Sequence, residues 1–146
     1  MTTAAAPRRP SPADMARKTS SAADRRLTAP GTAPHGSAYR ALYERGVLAS
    51  NMTSNARYVA IALATHADAA GQIARQPRLV GLVHDTGLHA GQVVVALTTL
   101  RQRGWLRQTN AGASYERADL VLTIPNHVMA RLLKKSTAAA RENTDA

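Results

Sequence analysis

Residues 78–104 read Arg78-Leu-Val-Gly-Leu-Val-His-Asp-Thr-Gly87-Leu-His-Ala-Gly-Gln-Val-Val-Val-Ala-Leu-Thr-Thr-Leu-Arg-Gln-Arg-Gly104. Leu79, Leu82 and Val83 recur at the three-to-four-residue spacing of one helical face, and the pattern stops at Asp85-Thr86-Gly87. A second face starts at once with Val93, Ala96, Leu97 and Leu100, and Gly104 stands where a helix ends in a left-handed residue. Two short helices joined by a glycine turn predict a helix-turn-helix, with the second helix over about 89–103.

Downstream of Gly104 the apolar period drops from about 3.6 to 2. Trp105–Thr109 and Ala118–Ile124 read as strands, with Leu120, Leu122 and Ile124 on one face and Asn110–Ser114 joining them in a hairpin. Pro125 closes the second strand, and Val128, Met129, Leu132 and Leu133 predict a final helix of about two turns over 126–135.

Upstream, Ala56–Ala64 is apolar nearly all round and follows Thr53 and Ser54, either of which can cap its first turn. This predicts a central buried helix over about 54–68, preceded by a short helix over about 38–48. His66 and Asp68 read as the cap and turn that end the central helix, Gln72-Ile73-Ala74 as a short strand, and Pro77 as the entry to the next helix. The fold class expected is mainly α with a small β-hairpin wing, that is, an α+β winged helix-turn-helix. The alternative is a generic small α+β domain that uses the same pattern only for packing.

The chain of 146 residues bounds this to one modest domain with loose ends. Residues 1–36 hold five of the seven prolines among Ala, Ser, Thr and Arg, too little apolar surface to offset the entropy of ordering, and predict a disordered basic arm. The domain is expected over 37–135, and 136–146 as a flexible C-terminal tail. Of the net charge of +10, the arm contributes +4, the domain +7 and the tail −1. The bias is therefore not confined to the arm, and a polyanion is the first partner to consider. Arg outnumbers Lys 16 to 3; the planar guanidinium fork suits phosphate and guanine edges, although a GC-rich genome favours Arg codons as well.

These features predict binding of double-stranded DNA, sequence-dependent or weakly specific, with the second helix of the motif in the major groove. The base-reading candidates are His89, Gln92, Val95, Thr98 and Gln102. The helical step of 100° places Gly91, Val94, Val95, Thr98 and Gln102 outward when Val93, Ala96, Leu97 and Leu100 face the core. Valine can touch a thymine methyl but reads little else, so Val94 and Val95 also offer a contact for a protein partner. Backbone contacts are expected from Arg75 and Arg78 at the entry to the motif, Arg101 and Arg103 near the end of the second helix, and Arg107 and Arg117 on the wing.

Other chemistries find little support. The absence of cysteine excludes a disulfide framework, a thiol nucleophile and Cys-ligated metal. The absence of Phe, with one Trp and four Tyr, argues against a platform that stacks single-stranded bases. No two of the five histidines have the i, i+4 spacing of a helical zinc site, and no glycine-rich loop is placed to cradle phosphate. An enzyme, a metal and a cofactor are accordingly not expected. No apolar run approaches the roughly 20 residues that span a bilayer, so the expected location is the cytoplasm, in association with the nucleoid.

The run Asn55–Asp68, with Arg75-Gln-Pro77, Leu82, Thr86-Gly-Leu88 and Leu97–Leu106, resembles bacterial winged helix-turn-helix domains of phage and plasmid replication proteins and small actinobacterial regulators. The resemblance covers about residues 47–125. It implies a small transcriptional regulator, often a homodimer on paired half-sites, here through the terminal helix. The alternatives are a plasmid or phage replication protein and a winged-helix module for protein interaction.

Overall fold

A computed structural model describes residues 29–31 and 38–144. Most of the expected basic arm, and the last two residues of the expected tail, lie outside the described residues. Within them the chain forms α1 (Tyr39–Ala49), α2 (Ser54–Thr65), α3 (Arg78–Thr86), α4 (Ala90–Gln102), β1 (Leu106–Gln108), β2 (Leu120–Leu122) and α5 (Asn126–Thr144). The class is mainly helical with a small antiparallel hairpin, a winged-helix-like α+β arrangement.

The centre is α2, which packs against α1, α3 and α4. Ala56, Val59, Ala60, Leu63 and Ala64 are fully buried there, as are Val93, Leu97 and Leu100 of α4. The small alanine side chains let neighbouring helices lie close, and the Val and Leu side chains each contribute about 1.5–3 kcal/mol by leaving water. The start of α2 is held by Thr53, whose hydroxyl accepts from the Ala56 amide at 3.3 Å. Tyr43 of α1 meets the edge of Trp105 with ring centres 5.8 Å apart and planes at 80°, which ties α1 to the start of the hairpin.

Two glycines make the turns that frame α4. Gly87 ends α3 with φ of 69°, and Gly104 follows α4 with φ of 83°, both in the region that a Cβ disfavours. At Gly104 the Trp105 amide donates to the Leu100 carbonyl at 2.8 Å and the Gly104 amide to the Arg101 carbonyl at 3.2 Å, which satisfies the end of the helix and turns the chain into the wing. The hairpin pairs Leu106 with Leu122, Arg107 with Val121 and Gln108 with Leu120. Leu106, Leu120 and Leu122 point into the core.

Three expectations need correction. Gln72-Ile73-Ala74 is not a strand; instead the Gln76 side chain takes that place beside β2, accepting from the Leu120 amide at 3.0 Å and donating to its carbonyl at 2.9 Å. One carboxamide thus pairs a backbone edge that a strand would otherwise have to cover. The final helix does not stop at 135. It runs to Thr144, because Ser136–Asn143 contains three alanines, Arg and Glu and no Gly or Pro to break it. The arm is also not wholly separate from the domain. Ala29–Gly31 crosses the end of β2, with the Gly31 amide donating to Ile124 at 2.8 Å and the Asn126 amide to Ala29 at 2.9 Å. A Cβ at Gly31 would come within 2.5 Å of Met129 Cβ, so this crossing fits only a residue without a side chain.

Candidate nucleic-acid interface

The turn of the motif is built by its own side chains. Thr86 donates its hydroxyl proton to the Leu82 carbonyl at 2.7 Å and accepts from the Leu88 amide at 3.2 Å, which fixes the path from α3 through Gly87. At the start of α4 the Gln92 side-chain oxygen accepts from the His89 amide at 3.0 Å. Gln92 therefore spends its acceptor on the helix end and keeps its amide donors for a ligand, while His89 and Gln92 are both exposed.

Between the far half of α4 and the wing lies a cleft of about 470 Å³, lined by Thr98, Arg101, Gln102, Leu106, Arg107, Gln108 and Tyr115. Four of the residues named from sequence converge here: Thr98, Gln102, Arg101 and Arg107. Tyr115, which the pattern of apolar residues did not single out, connects them. Its hydroxyl lies 3.2 Å from that of Thr98 and accepts from Nη1 of Arg101 at 3.4 Å, and the Arg101 guanidinium also stands 5.8 Å from the centre of its ring. One signal in the sequence was available, a lone tyrosine inside a turn-forming loop downstream of the basic run Arg101–Arg107.

The wing itself is held in shape. Asn110 donates to the Arg117 carbonyl at 2.9 Å and accepts from the Asp119 amide at 2.7 Å. Gln108 donates to the carbonyls of Asn110 at 2.8 Å and Ala113 at 2.9 Å. Two tight turns complete the loop, with the Ala113 amide donating to the Asn110 carbonyl at 3.3 Å and the Arg117 amide to the Ser114 carbonyl at 2.9 Å, so the segment that carries Tyr115 and Arg117 starts from a fixed frame.

The structure separates the remaining candidates. The Arg75, Arg107 and Arg117 side chains are exposed and have no polar partner among the described residues. Arg78, expected to reach a phosphate, instead stands 3.3 Å from Asp119 of the wing, and it enters α3 with φ of 58°, an uncommon conformation for a residue with a side chain. Arg103 does not join the wing cleft. It donates to Oδ1 of Asn51 at 3.0 Å on the opposite side of the helix end.

Thr98 is also corrected, because its hydroxyl donates back to the Val94 carbonyl at 2.9 Å and is half-buried, so it supports the cleft rather than reading a base. Val95 is outward, 66% exposed, whereas Val94 is half-buried and does not form a pair with it. No family model, curated protein or solved structure matches this chain.

Histidine and carboxylate chemistry gathers at the other end of the motif. Oδ2 of Asp85 on α3 lies 2.7 Å from Nε2 of His66, the residue that caps α2, and Oδ1 lies 3.6 Å from Nδ1 of His84. The hydrogen bond from His66, followed by that from His84, holds the Asp85 carboxyl below the usual carboxylate range. This pair joins the C-terminal ends of two helices, and it was not visible in sequence because its members lie 19 residues apart. Asp68 keeps the role expected of it, with its carboxylate accepting from the Gln72 amide at 2.9 Å in the turn after α2. No group of three or more His, Cys, Asp or Glu residues suited to a metal occurs among the described residues.

Proposed function

We propose that this protein binds double-stranded DNA, gripping the phosphate backbone through the wing cleft and laying the first turns of α4 in the major groove. The observation that carries the reading is the convergence of Arg101 and Arg107, from two different elements, on one cleft beside a tyrosine in a pre-formed wing. Two guanidiniums lining one open cleft favour phosphate oxygens. Arg117 and Arg75 extend the charge on either side.

Base reading falls to His89, Gln92 and Gln102, with Val95 against a thymine methyl. This is a small set of donors, and it favours affinity over sequence specificity. The resemblance to bacterial winged helix-turn-helix regulators points the same way, towards a small transcriptional regulator acting on DNA in the cytoplasm. A replication protein would use the same surface. A homodimer through the exposed part of α5 would present two such surfaces to paired half-sites. A hydrophobic protein contact through Val94 and Val95 has less to rest on, since Val94 is half-buried. Among the described residues no helix is long and apolar enough to cross a membrane.

The test is a titration of labelled DNA, duplex against single strand of the same sequence, at low salt. The reading expects tighter binding of the duplex. Equal binding of both forms, or none, overturns it.

A further inference from the structure

A second cavity, of about 650 Å³, opens on the opposite side of the end of α4, between the α1–α2 connection and α5. Its floor is apolar, formed by Met52, Trp105 and Leu132, all at least nine-tenths buried. Its rim is cationic. Arg103 comes from the end of α4, and Arg131 and Lys135 come from α5, one helical turn apart on the same face. No carboxylate lines the cavity. Arg103 is held by neutral Asn51, and Arg131 and Lys135 have no polar partner among the described residues.

Like charges one turn apart repel, and no carboxylate among the described residues pairs with Arg131 or Lys135. An apolar floor beneath three uncompensated cations, in a space within the roughly 300–1,000 Å³ of small-molecule sites, specifies a ligand with a flat apolar body and an anionic head.

We propose that this cavity binds a small amphipathic anion, a carboxylate, sulfonate or phosphate ester on an aromatic or alicyclic body. The head sits among Arg103, Arg131 and Lys135 and the body lies along the apolar wall of Ala49, Val128 and Leu132, above the buried Trp105. Because Gln102 and Arg103 belong to both the cavity wall and the last turn of α4, an occupant bridges α5 to the helix that carries the wing cleft. Its role as an effector site rests on the DNA-binding reading above, with Gln102 shared between the two walls, whereas occupancy of the cavity itself does not.

The chain has a single tryptophan, Trp105, which reports on the floor directly. The probe is anilinonaphthalene sulfonate, an aromatic anion, added to the full chain, with its uncharged relative phenylnaphthylamine for comparison. The expected result is one saturable site per chain, loss of Trp105 emission in step with dye binding, and stronger binding of the sulfonate than of the neutral dye. The double variant Arg131→Gln, Lys135→Gln lies on the exposed face of α5 and should keep its helical circular dichroism. It should bind the sulfonate about tenfold more weakly and the neutral dye unchanged. An unchanged affinity for the sulfonate in the folded variant overturns the proposal, as does dye binding that leaves Trp105 emission untouched. Displacement of the dye by duplex DNA, together with equal loss of DNA and dye binding in the variant, also overturns it and makes the rim part of the DNA path.

Discussion

The last turn of α4 carries cations to two places that differ in what lies beneath them. On the wing side, Arg101 and Arg107 line a cleft that also holds the hydroxyl of Tyr115. On the rear side, Arg103 meets Arg131 and Lys135 over Trp105, Met52 and Leu132. Both are basic, and net charge alone does not distinguish them. The lining does: a shallow cleft walled mainly by polar residues and open along one edge suits a chain of phosphates, and a deeper hollow set over Met52, Trp105 and Leu132 suits one molecule with a charged end. Position along the chain separates them as well, because Arg101 and Arg103 are two residues apart and so about 200° apart around the helix.

The largest perturbation removes both at once. Leu97 is fully buried between α4 and α2, and Leu97→Ala should cost about 2–5 kcal/mol in urea unfolding and weaken DNA and dye binding together. A cost below about 1 kcal/mol would mean that α4 is not anchored as described.

Asn110→Ala should sharpen the contrast by damaging only the wing. It leaves the Arg117 carbonyl and the Asp119 amide without their side-chain partner, for about 1–2 kcal/mol. Hydrogen exchange should accelerate at the Asp119 amide and DNA binding should weaken, with the rear cavity unaffected. Equal loss at both places would show that the two are one unit.

Arg78→Gly acts on the junction of wing and motif. It relieves a left-handed φ at the cost of an ion pair whose members are both more than two-fifths exposed, and exposed pairs contribute little. Thermal unfolding should show stabilisation of about 1 kcal/mol. Destabilisation would show that the pair with Asp119 outweighs the strain.

Asp85 serves as the control remote from both. Its carboxyl is held below its ordinary range when folded, so its contribution is present above that range and fades as the pH falls through the lowered value. Asp85→Asn should flatten the acid limb of the stability curve slightly and leave both binding sites as they are. An unchanged acid limb would remove the His66 link from the account.

The helical part of this architecture was legible because apolar spacing and glycine punctuation record it directly, as at Leu82, Gly87, Leu97 and Gly104. The strand expected at Gln72-Ile73-Ala74 was misread because the edge of β2 is paired by a side chain, and Gln76 carries no periodicity. The terminal helix was cut short because polar composition at 136–144 resembles a tail, whereas its alanines sustain a helix without burial. Among the candidate residues, charge pointed to Arg101 and Arg107, which line one cleft. Arg103 was grouped with them although the helical step already placed it on another side. Val94 lies only about 60° from Leu97 around the same helix, which explains its partial burial. Tyr115, Asn51 and Asp119 depend on contacts across the fold, and no local pattern announces them.

The central claim is that Arg101 and Arg107 hold DNA phosphates from the wing cleft while Arg131 and Lys135 do not. Duplex affinity measured across a salt series tests it most directly. The slope of log affinity against log salt should shrink by about 2 in Arg101→Ala, Arg107→Ala, and stay unchanged in Arg131→Gln, Lys135→Gln. An unchanged slope in the first variant, or an equal reduction in both, would contradict the account.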